Sequence, residues 1–293
     1  MVGRVIFWKI AMSSQGFVIA ASGKDYIETA VAAARSLKVA MPDVPVDLFT
    51  DLENIPGTEV FDQIHMLDKS WFRPKFESLV RSRFEKTVYL DADVRCLADM
   101  SDIFTVLEQF DIAMVHDPLR NSAHAQRVWK TPLPNAFPHL NGGLVGIRTS
   151  DAVLDFLRDV QETIISENLT SDQALIREKL FASALRLAVL PPEYNFLDYR
   201  QAEMFGFLHS APRLLHHYKF HSRHDKRLDS ARTVAGLVGP DLERHINSLI
   251  EADAQLTPGA SKKVRPLVDK GLLGKLRKLV MSVKKGIVRL RRG

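Results

Sequence analysis

The sequence predicts an α/β fold, a mixed and mostly parallel sheet flanked by helices. Three observations predict it. From Gly16 onward, apolar runs of strand length alternate with stretches of helical period. Runs such as Phe17–Ala21 and Val88–Leu90 are continuously apolar rather than alternating with polar residues, as in strands covered on both faces. One run, Thr87-Val88-Tyr89-Leu90, leads straight into Asp91-Ala92-Asp93-Val94. That places two carboxylates where a parallel sheet presents its ligands, beyond the carboxyl ends of the strands.

In chain order, Gly16–Ala21 reads as the first buried strand, ended by Ser22-Gly23, and Lys24 to Ala40 carries a helical pattern that Pro42 stops. Val46–Thr50 and Gln63–Leu67 read as strands, and right-handed crossovers would join them in parallel. Lys75 to Phe84 is expected to be a helix feeding the acidic strand, Asp99 to Phe110 another, and Asp111–Val115 a strand. The period then lapses over Asp117 to Pro138, which holds four prolines. A loop of that length is usually functional or mobile, so it is expected to border the site, with a disordered insertion as the alternative. Leu140–Ile147 resumes a strand with Gly142-Gly143 at its mouth, which permits close approach of backbone to ligand or makes a bulge. Ser150 starts a helix to about Glu167, and Ser171 is expected to cap the next, beginning Asp172-Gln173. Leu187–Leu190 is a strand ended by Pro191-Pro192, and Arg213–Tyr218 a short late strand tipped with histidines. After it, residues 221–270 are basic and histidine-rich, then helical, with Pro258-Gly259 as a hinge.

Composition bounds the function. At 293 residues, 46% hydrophobic and 26% charged, the chain suits a soluble protein with one large domain or a domain and an appendage. Its single cysteine, Cys96, excludes an intrachain disulfide framework and fits a reducing compartment. No apolar run approaches the roughly 20 residues that cross a bilayer. The cluster Val5–Trp8, interrupted by Lys9, is too short for a signal-peptide core, which leads to a cytoplasmic expectation. The net charge of +5 is uneven: eight of the 40 Lys and Arg residues lie in 271–293, which has no acid, leaving 32 against 35 Asp and Glu, a net of −3 elsewhere.

Asp91 and Asp93 are close enough to share one divalent cation. Hard oxygen ligands of this kind suit Mg²⁺ or Mn²⁺, above all when a diphosphate supplies further oxygens. The same residues also fit a strand that ends in a solvated acidic turn.

Taken together, the strand-to-helix opening Ala20-Ala21 to Tyr26, Tyr89-Leu90-Asp91-Ala92-Asp93, Leu140-Asn141-Gly142-Gly143, Asp172-Gln173, Leu190-Pro191-Pro192-Glu193-Tyr194-Asn195 and Leu215-His216 follow one order over roughly residues 16 to 220. In that order they resemble a GT-A glycosyltransferase, most closely the family 8 type. The resemblance implies a GT-A, Rossmann-like catalytic domain over 1–220, a helical extension over 221–270 and a basic tail over 271–293. It implies a metal, Mn²⁺ or Mg²⁺, held by Asp91, Asp93 and His216, with His217 as the rival ligand. It implies a nucleotide-diphospho-sugar donor, a UDP-sugar being favoured, bound by Ala20, Ala21, Ser22, Tyr26, Lys75, Asp91, Ala92, Asp93, Asn141, Gly142 and Gly143. Gln173 resembles the residue beside the reacting carbon, and Asp172 a carboxylate that orients the sugar hydroxyls. Two departures stand out. Ser22-Gly23-Lys24-Asp25 replaces the acidic or amide residues often found before the tyrosine, and Ala174 stands where a second acid commonly follows the glutamine. Lys75 also reads as a solvated helix lysine, and Asp172 as a first-turn residue favoured by the helix dipole.

In the tail, Leu272, Leu273, Leu276, Leu279, Val280, Val283, Ile287 and Leu290 recur at helical spacing among Lys275, Lys278, Lys285 and Arg289. A basic amphipathic helix of this kind reads as an element for an anionic membrane surface. A helix packed on the body or a nucleic-acid patch would share the pattern, but the tail lacks the aromatics of a single-strand binder, so no nucleic acid is expected. The sequence therefore points to a metal-dependent glycosyltransferase acting on a saccharide or glycolipid acceptor, peripherally held at the inner, cytosolic membrane face. A haloacid dehalogenase-type phosphatase would also use an Asp-x-Asp strand, although about ninety residues precede it here. A relative that binds a nucleotide-sugar or membrane without turnover is the non-enzymatic alternative.

Overall fold

The computed structural model describes residues 15–68, 73–221 and 233–269. The basic tail over 271–293 and residues 222–232 of the extension lie outside the described residues, as does the Val5–Trp8 cluster. The strands are β1 (Gln15–Ala21), β2 (Val46–Thr50), β3 (Gln63–Met66), β4 (Lys86–Leu90), β5 (Val94–Cys96), β6 (Ile112–His116), β7 (Leu140–Arg148), β8 (Leu187–Leu190) and β9 (Leu214–His216). The helices are α1 (Lys24–Ala40), α2 (Lys75–Val80), α3 (Ile103–Val106), α4 (Asp151–Ser166), α5 (Gln173–Ala182), α6 (Val234–Val238) and α7 (Pro240–Ala252).

Seven strands form one sheet in the order β3-β2-β1-β4-β7-β6-β8. Its pairings are parallel except those that β7 makes with β4 and β6. The continuous apolar runs are explained by burial on both faces. Along β1, Phe17, Ile19 and Ala21 join one core with Ile27, Ala30, Ala34 and Leu37 of α1, whereas Val18 and Ala20 join the opposite core with Phe76, Leu79, Val153, Leu157 and Leu175 from α2, α4 and α5. The two-residue period of a strand thus sends successive side chains into different cores. Each fully buried Leu, Ile or Phe in them contributes about 1.5–3 kcal/mol. A second, two-stranded sheet pairs β5 with β9 in antiparallel register, Val94 opposite His216.

Several boundaries differ from expectation. The helix from Lys75 stops at Val80 instead of Phe84. Beyond it, Ser82 Oγ and Thr87 Oγ1 hydrogen-bond at 2.7 Å, and Phe84 turns inward to full burial, where its ring lies 2.4–2.6 Å from the position of a Cβ on Gly16. Only a glycine admits that ring. The Asp99–Phe110 helix contracts to Ile103–Val106, because the Asp99 carboxylate accepts from Ser101 N at 2.7 Å and holds the entry as a turn. The apolar-acidic run divides at Asp91, where β4 has ended and β5 has not begun. Ser150 caps α4, its side chain accepting from Val153 N, whereas Ser171 does not cap α5: the N-cap position is Asp172, whose carboxylate is committed elsewhere. The loop over 117–138 is ordered against α4 and α5, with Trp129 Nε1 donating to Glu167 at 2.7 Å and Lys130 N and Thr131 N donating to Glu178 at 3.0 Å.

In the extension, α7 buries Leu242 and Ile246 against Phe196, Leu215 and Phe220. The core around β9 is therefore shared with the extension. At Pro258-Gly259, expected as a hinge, the chain makes a turn in which Gly259 takes a φ of +81°, a conformation suited to glycine.

Candidate active site

Topology gathers the chemistry at one edge of the sheet. The carboxyl ends of β1, β4, β6 and β8 deliver Ser22, Asp91, Asp117 and the Pro191–Asn195 segment to it. Because β7 runs the other way, with Leu144 opposite Leu90, its amino end brings Asn141, Gly142 and Gly143 to the same edge. Asp91 N donates to Gly143 O at 3.0 Å, fixing the acidic turn to the glycine pair.

Asp91, Asp93 and His216 each turn one ligand atom to a common point, the three atoms lying within 4.8 Å of one another. Asp93 Oδ1 stands 3.3 Å from His216 Nε2 and its Oδ2 3.4 Å from His221 Nε2. Burial works to raise the Asp93 carboxyl, but the two imidazoles more than offset it and hold the group well below the usual carboxylate range. His216 moves the opposite way: burial opposes its charge and Asp93 restores it, so the imidazole is pulled above its ordinary value.

A relay of amides orients His216. The Asp117 carboxylate accepts from Asn141 Nδ2 at 3.3 Å, which turns Asn141 Oδ1 towards Gly143 N and Asn195 Nδ2, each at 2.9 Å. With its amide group donating there, Asn195 presents Oδ1 to His216 Nδ1 at 2.9 Å. An oxygen acceptor at Nδ1 requires the proton on that nitrogen, which leaves Nε2 to face Asp93 and Asp91. The second glycine has a steric reason as well: a Cβ on Gly143 would lie 2.4 Å from the His216 ring.

His217 is excluded as the partner of the aspartates. Its ring stacks on Tyr218 at 4.6 Å, its Nδ1 accepts from Lys219 N, and only its backbone N reaches Asp93 O. Burial and the neighbouring Lys219 push its imidazole below the ordinary value.

Lys75 is not a solvated helix lysine. It is 4% exposed, and its Nζ donates to Gly142 O at 2.7 Å and to Asp172 Oδ2 at 3.2 Å, with Asp91 Oδ1 at 3.6 Å. Burial disfavours its charge, but Asp172 and Asp91 outweigh that and raise it above the ordinary lysine range. Asp172, 2% exposed, is held below the carboxylate range against its own burial by Lys75 and by Arg73, 3.6 Å away. A Cβ on Gly142 would fall 2.8 Å from Lys75 Nζ, so the glycine leaves room for the ammonium. Tyr89 donates its hydroxyl to Asp91 Oδ1 at 2.8 Å, and burial followed by the Asp91 charge pushes that hydroxyl well above its normal range.

Ala20 and Ala21 are buried at the end of β1. The Ser22-Gly23 turn that follows is clamped by Asp51, whose carboxylate accepts from Ser22 Oγ and Gly23 N, both at 2.8 Å. Gly23 has a φ of +83°, so this departure from the common pattern uses the backbone freedom of glycine. Tyr26 packs edge-on to His221 with ring centroids 4.6 Å apart, which ties the opening of α1 to Asp93. Ala92 is buried between the two aspartates, and Gln173 is half-buried beside Asp172 at the first position of α5.

Asp51, Arg73, Asp117, Asn195 and His221 were not singled out from sequence. Asn195 closes one of the motifs noted above, so it carried a signal. The others have no sequence mark, because a carboxylate or imidazole becomes a partner only through contacts distant in the chain.

A sequence model of the family described as nucleotide-diphospho-sugar transferase matches residues 33–229. No curated protein matches the chain. Among solved structures, the chain is similar to the galactosyltransferase LgtC in complex with donor and acceptor sugar analogues, with a TM-score of 0.52 and 14% identity over 80% of this chain and 96% of that one. An active-site mutant of LgtC gives a TM-score of 0.50 at 15% identity, covering 79% of this chain and 99% of the other. The glycosyltransferase GlyE of Streptococcus pneumoniae TIGR4 gives 0.52 at 18% identity, covering 85% and 66%. At such identities the likeness is one of fold.

Proposed function

The chain belongs to the nucleotide-diphospho-sugar transferase family and is a glycosyltransferase, and from that premise we propose that its reaction depends on a divalent cation held by Asp91, Asp93 and His216. The observation that carries this is the convergence of those three side chains, two from the β4–β5 turn and one from β9, within 4.8 Å. Two carboxylates and an imidazole, with oxygens of a diphosphate to complete the set, fit Mn²⁺ or Mg²⁺. The cation would supply Lewis-acid neutralisation of the charge that builds on the departing diphosphate.

The chain's own residues do the rest. The Asp117–Asn141–Asn195 relay keeps Nε2 of His216 turned to the aspartates. Lys75 places a full positive charge between the aspartate turn and the head of α5, suited to the diphosphate or the sugar. Asp172 is kept ionised by Lys75 and Arg73, so it serves to accept hydrogen bonds from sugar hydroxyls rather than to take a proton. Gln173 follows it on the side where the reacting carbon would lie. Ser22 and Tyr26, with Ala20 and Ala21, frame the place for base and ribose, and Asn141, Gly142 and Gly143 line the sugar side. A UDP-sugar is the donor we favour, with a saccharide or glycolipid as acceptor.

The enzyme is proposed to work peripherally at the inner, cytosolic face of a membrane through 271–293. Support comes from the eight basic residues of that segment against a body of net −3. Each basic residue near an anionic leaflet contributes about 1 kcal/mol. Binding to anionic vesicles should persist in the intact chain and be lost in Lys275→Gln/Lys278→Gln/Lys285→Gln/Arg289→Gln; equal binding by both would remove the membrane part of the reading.

The test of the central proposal is titration of a panel of nucleoside diphosphates with and without Mn²⁺, on the intact chain and on Asp91→Ala/Asp93→Ala. Metal-dependent binding of one nucleotide that the double variant loses is the expected result. Binding indifferent to both metal and aspartates would return the acidic pair to a solvated turn. Hydrolysis of the matching nucleotide-sugar then separates an enzyme from a relative that binds without turnover.

A further inference from the structure

A cavity of about 590 Å³ lies where the 117–138 loop meets α5, lined by Arg120, Arg127, His139 and Arg177 among others, with no carboxylate in its lining among the described residues. We propose that this cavity receives an anionic group, phosphate or carboxylate, on the saccharide acceptor. The inference rests on the transferase reading above and narrows its acceptor to an acidic sugar.

Arg177 is the main support. It is 8% exposed, so its charge has been taken largely out of water. Its Nε donates to Pro138 O at 2.9 Å and its Nη2 to Phe137 O at 2.7 Å and Pro134 O at 3.1 Å. These are neutral acceptors. They satisfy hydrogen bonds but leave the full charge without a counter-ion, and Nη1 has no hydrogen-bond partner among the described residues. Four other buried or half-buried arginines meet carboxylates: Arg83 with Asp47, Arg148 with Asp111, Arg213 with Asp102 and Arg73 with Asp172. Arg120 likewise spends its guanidinium on a backbone carbonyl, that of Asn135.

The cations also oppose one another. Burial and then Arg120 pull the Arg177 guanidinium below its ordinary range, and burial with Arg177 and Arg120 does the same to His139. A guanidinium still keeps its proton under such pressure; Asp117 counters the repulsion at His139, but no carboxylate pairs with Arg177 among the described residues. Burying an uncompensated charge is costly, and a bound anion removes that cost. The N–H groups of Nη1 remain to meet a phosphate or carboxylate oxygen through charge-assisted hydrogen bonds.

Position connects the cavity to the transfer. Gln173 and Arg177 stand four residues apart on α5, one turn along the same face, a separation of about 6 Å. His139 precedes Asn141 by two residues at the entry to β7, about 7 Å along an extended chain. The cavity therefore borders the ends of α5 and β7 that also carry Gln173 and Asn141. On the transferase reading, an anion held there belongs to the acceptor saccharide rather than to the donor diphosphate.

The probes are glucose 6-phosphate, galacturonate, neutral glucose and galactose, and inorganic phosphate, titrated without divalent cation against the intact chain, Arg177→Gln and Arg120→Gln/Arg127→Gln. The double variant changes exposed residues, so it remains informative if loss of the Arg177 carbonyl bonds unfolds the loop. The expected result is at least about tenfold tighter binding of the acidic sugars than of their neutral parents, a preference lost in the double variant while Mn²⁺-dependent nucleotide binding stays as in the intact chain. Equal binding of acidic and neutral sugars overturns the proposal. So does a preference that survives the substitutions, or inorganic phosphate binding as tightly as the sugar phosphate, which would make the cavity a plain anion site. Failure of the intact chain to bind any nucleoside diphosphate would instead strike at the transferase reading, so the two failures are distinguishable.

Discussion

The cluster around Asp91 and the cavity around Arg177 border the same edge of the sheet, one built on carboxylates and the other on arginines. At the first, Asp93 meets two imidazoles, Asp91 meets Tyr89 and Lys75, and every polar group is steered by another side chain. At the second, arginines rest on backbone carbonyls of a loop. Side chains from five segments meet at the first, so its geometry is held by the sheet and its electrostatics by mutual pairing. The second depends on one helix and one loop, and its charge has been left open. The comparison teaches that mutual pairing of side chains preorganises a site, whereas charge resting on neutral carbonyls leaves one receptive: under the two proposals, a metal would complete the first and an anionic ligand would supply the missing counter-charge at the second.

The largest effect expected along this contrast comes from Asp93→Ala. It removes the carboxylate shared by His216 and His221, and Mn²⁺-dependent nucleotide binding should vanish in calorimetry while metal-independent sugar binding at the arginine cavity persists. Loss of both together would mean that the two sites are not separate. Next is Asp172→Asn, which takes one charge from a buried pair and should destabilise the fold by about 3 kcal/mol in urea titrations at pH 7. Because the folded Asp172 carboxyl lies below its unfolded value of about 3.9, its stabilising contribution is complete above that pH and is lost as the pH falls through the folded value. The variant should therefore show a shallower loss of stability on acidification than the intact chain. An unchanged acid slope would put the sensitivity elsewhere.

A smaller change is expected for Asn195→Ala, which frees the His216 ring without touching a ligand atom. Apparent Mn²⁺ affinity should drop by roughly 10–100-fold, with little change in thermal midpoint; an unaltered affinity would show that the relay does not orient the imidazole. Ser150→Ala serves as the remote control. Losing the α4 cap should cost about 1 kcal/mol and leave metal and sugar titrations at both sites as they were.

Much of this architecture was legible from residues alone. Lys24–Ala40, Val46–Thr50 and Leu187–Leu190 have the boundaries that their patterns predicted, because apolar period and flanking breakers act locally. The helices from Lys75 and Asp99 were misjudged in length because Phe84 turns into the core over Gly16 and the Asp99 side chain takes over a backbone bond. Both are effects of particular contacts, which periodicity does not register. The order of Asp91, Asp93, Asn141–Gly143 and His216 along the chain pointed to one site, and in the fold Asp91, Asp93 and His216 do converge within 4.8 Å.

Chain chemistry by itself thus determined the fold class, the sheet's two-sided burial and the residue types brought to its carboxyl edge. Tertiary structure decided which of two adjacent histidines faces Asp93, since strand alternation and the stacking of His217 on Tyr218 are settled only when β9 pairs with β5. It decided that Lys75 is buried, because Gly142 and Asp172 reach it from positions 67 and 97 residues away. It also decided that the arginines of a polar, proline-rich loop and helix share one cavity. A charge becomes a partner or an open demand only through distance, and distance between remote residues is set by packing rather than by sequence order.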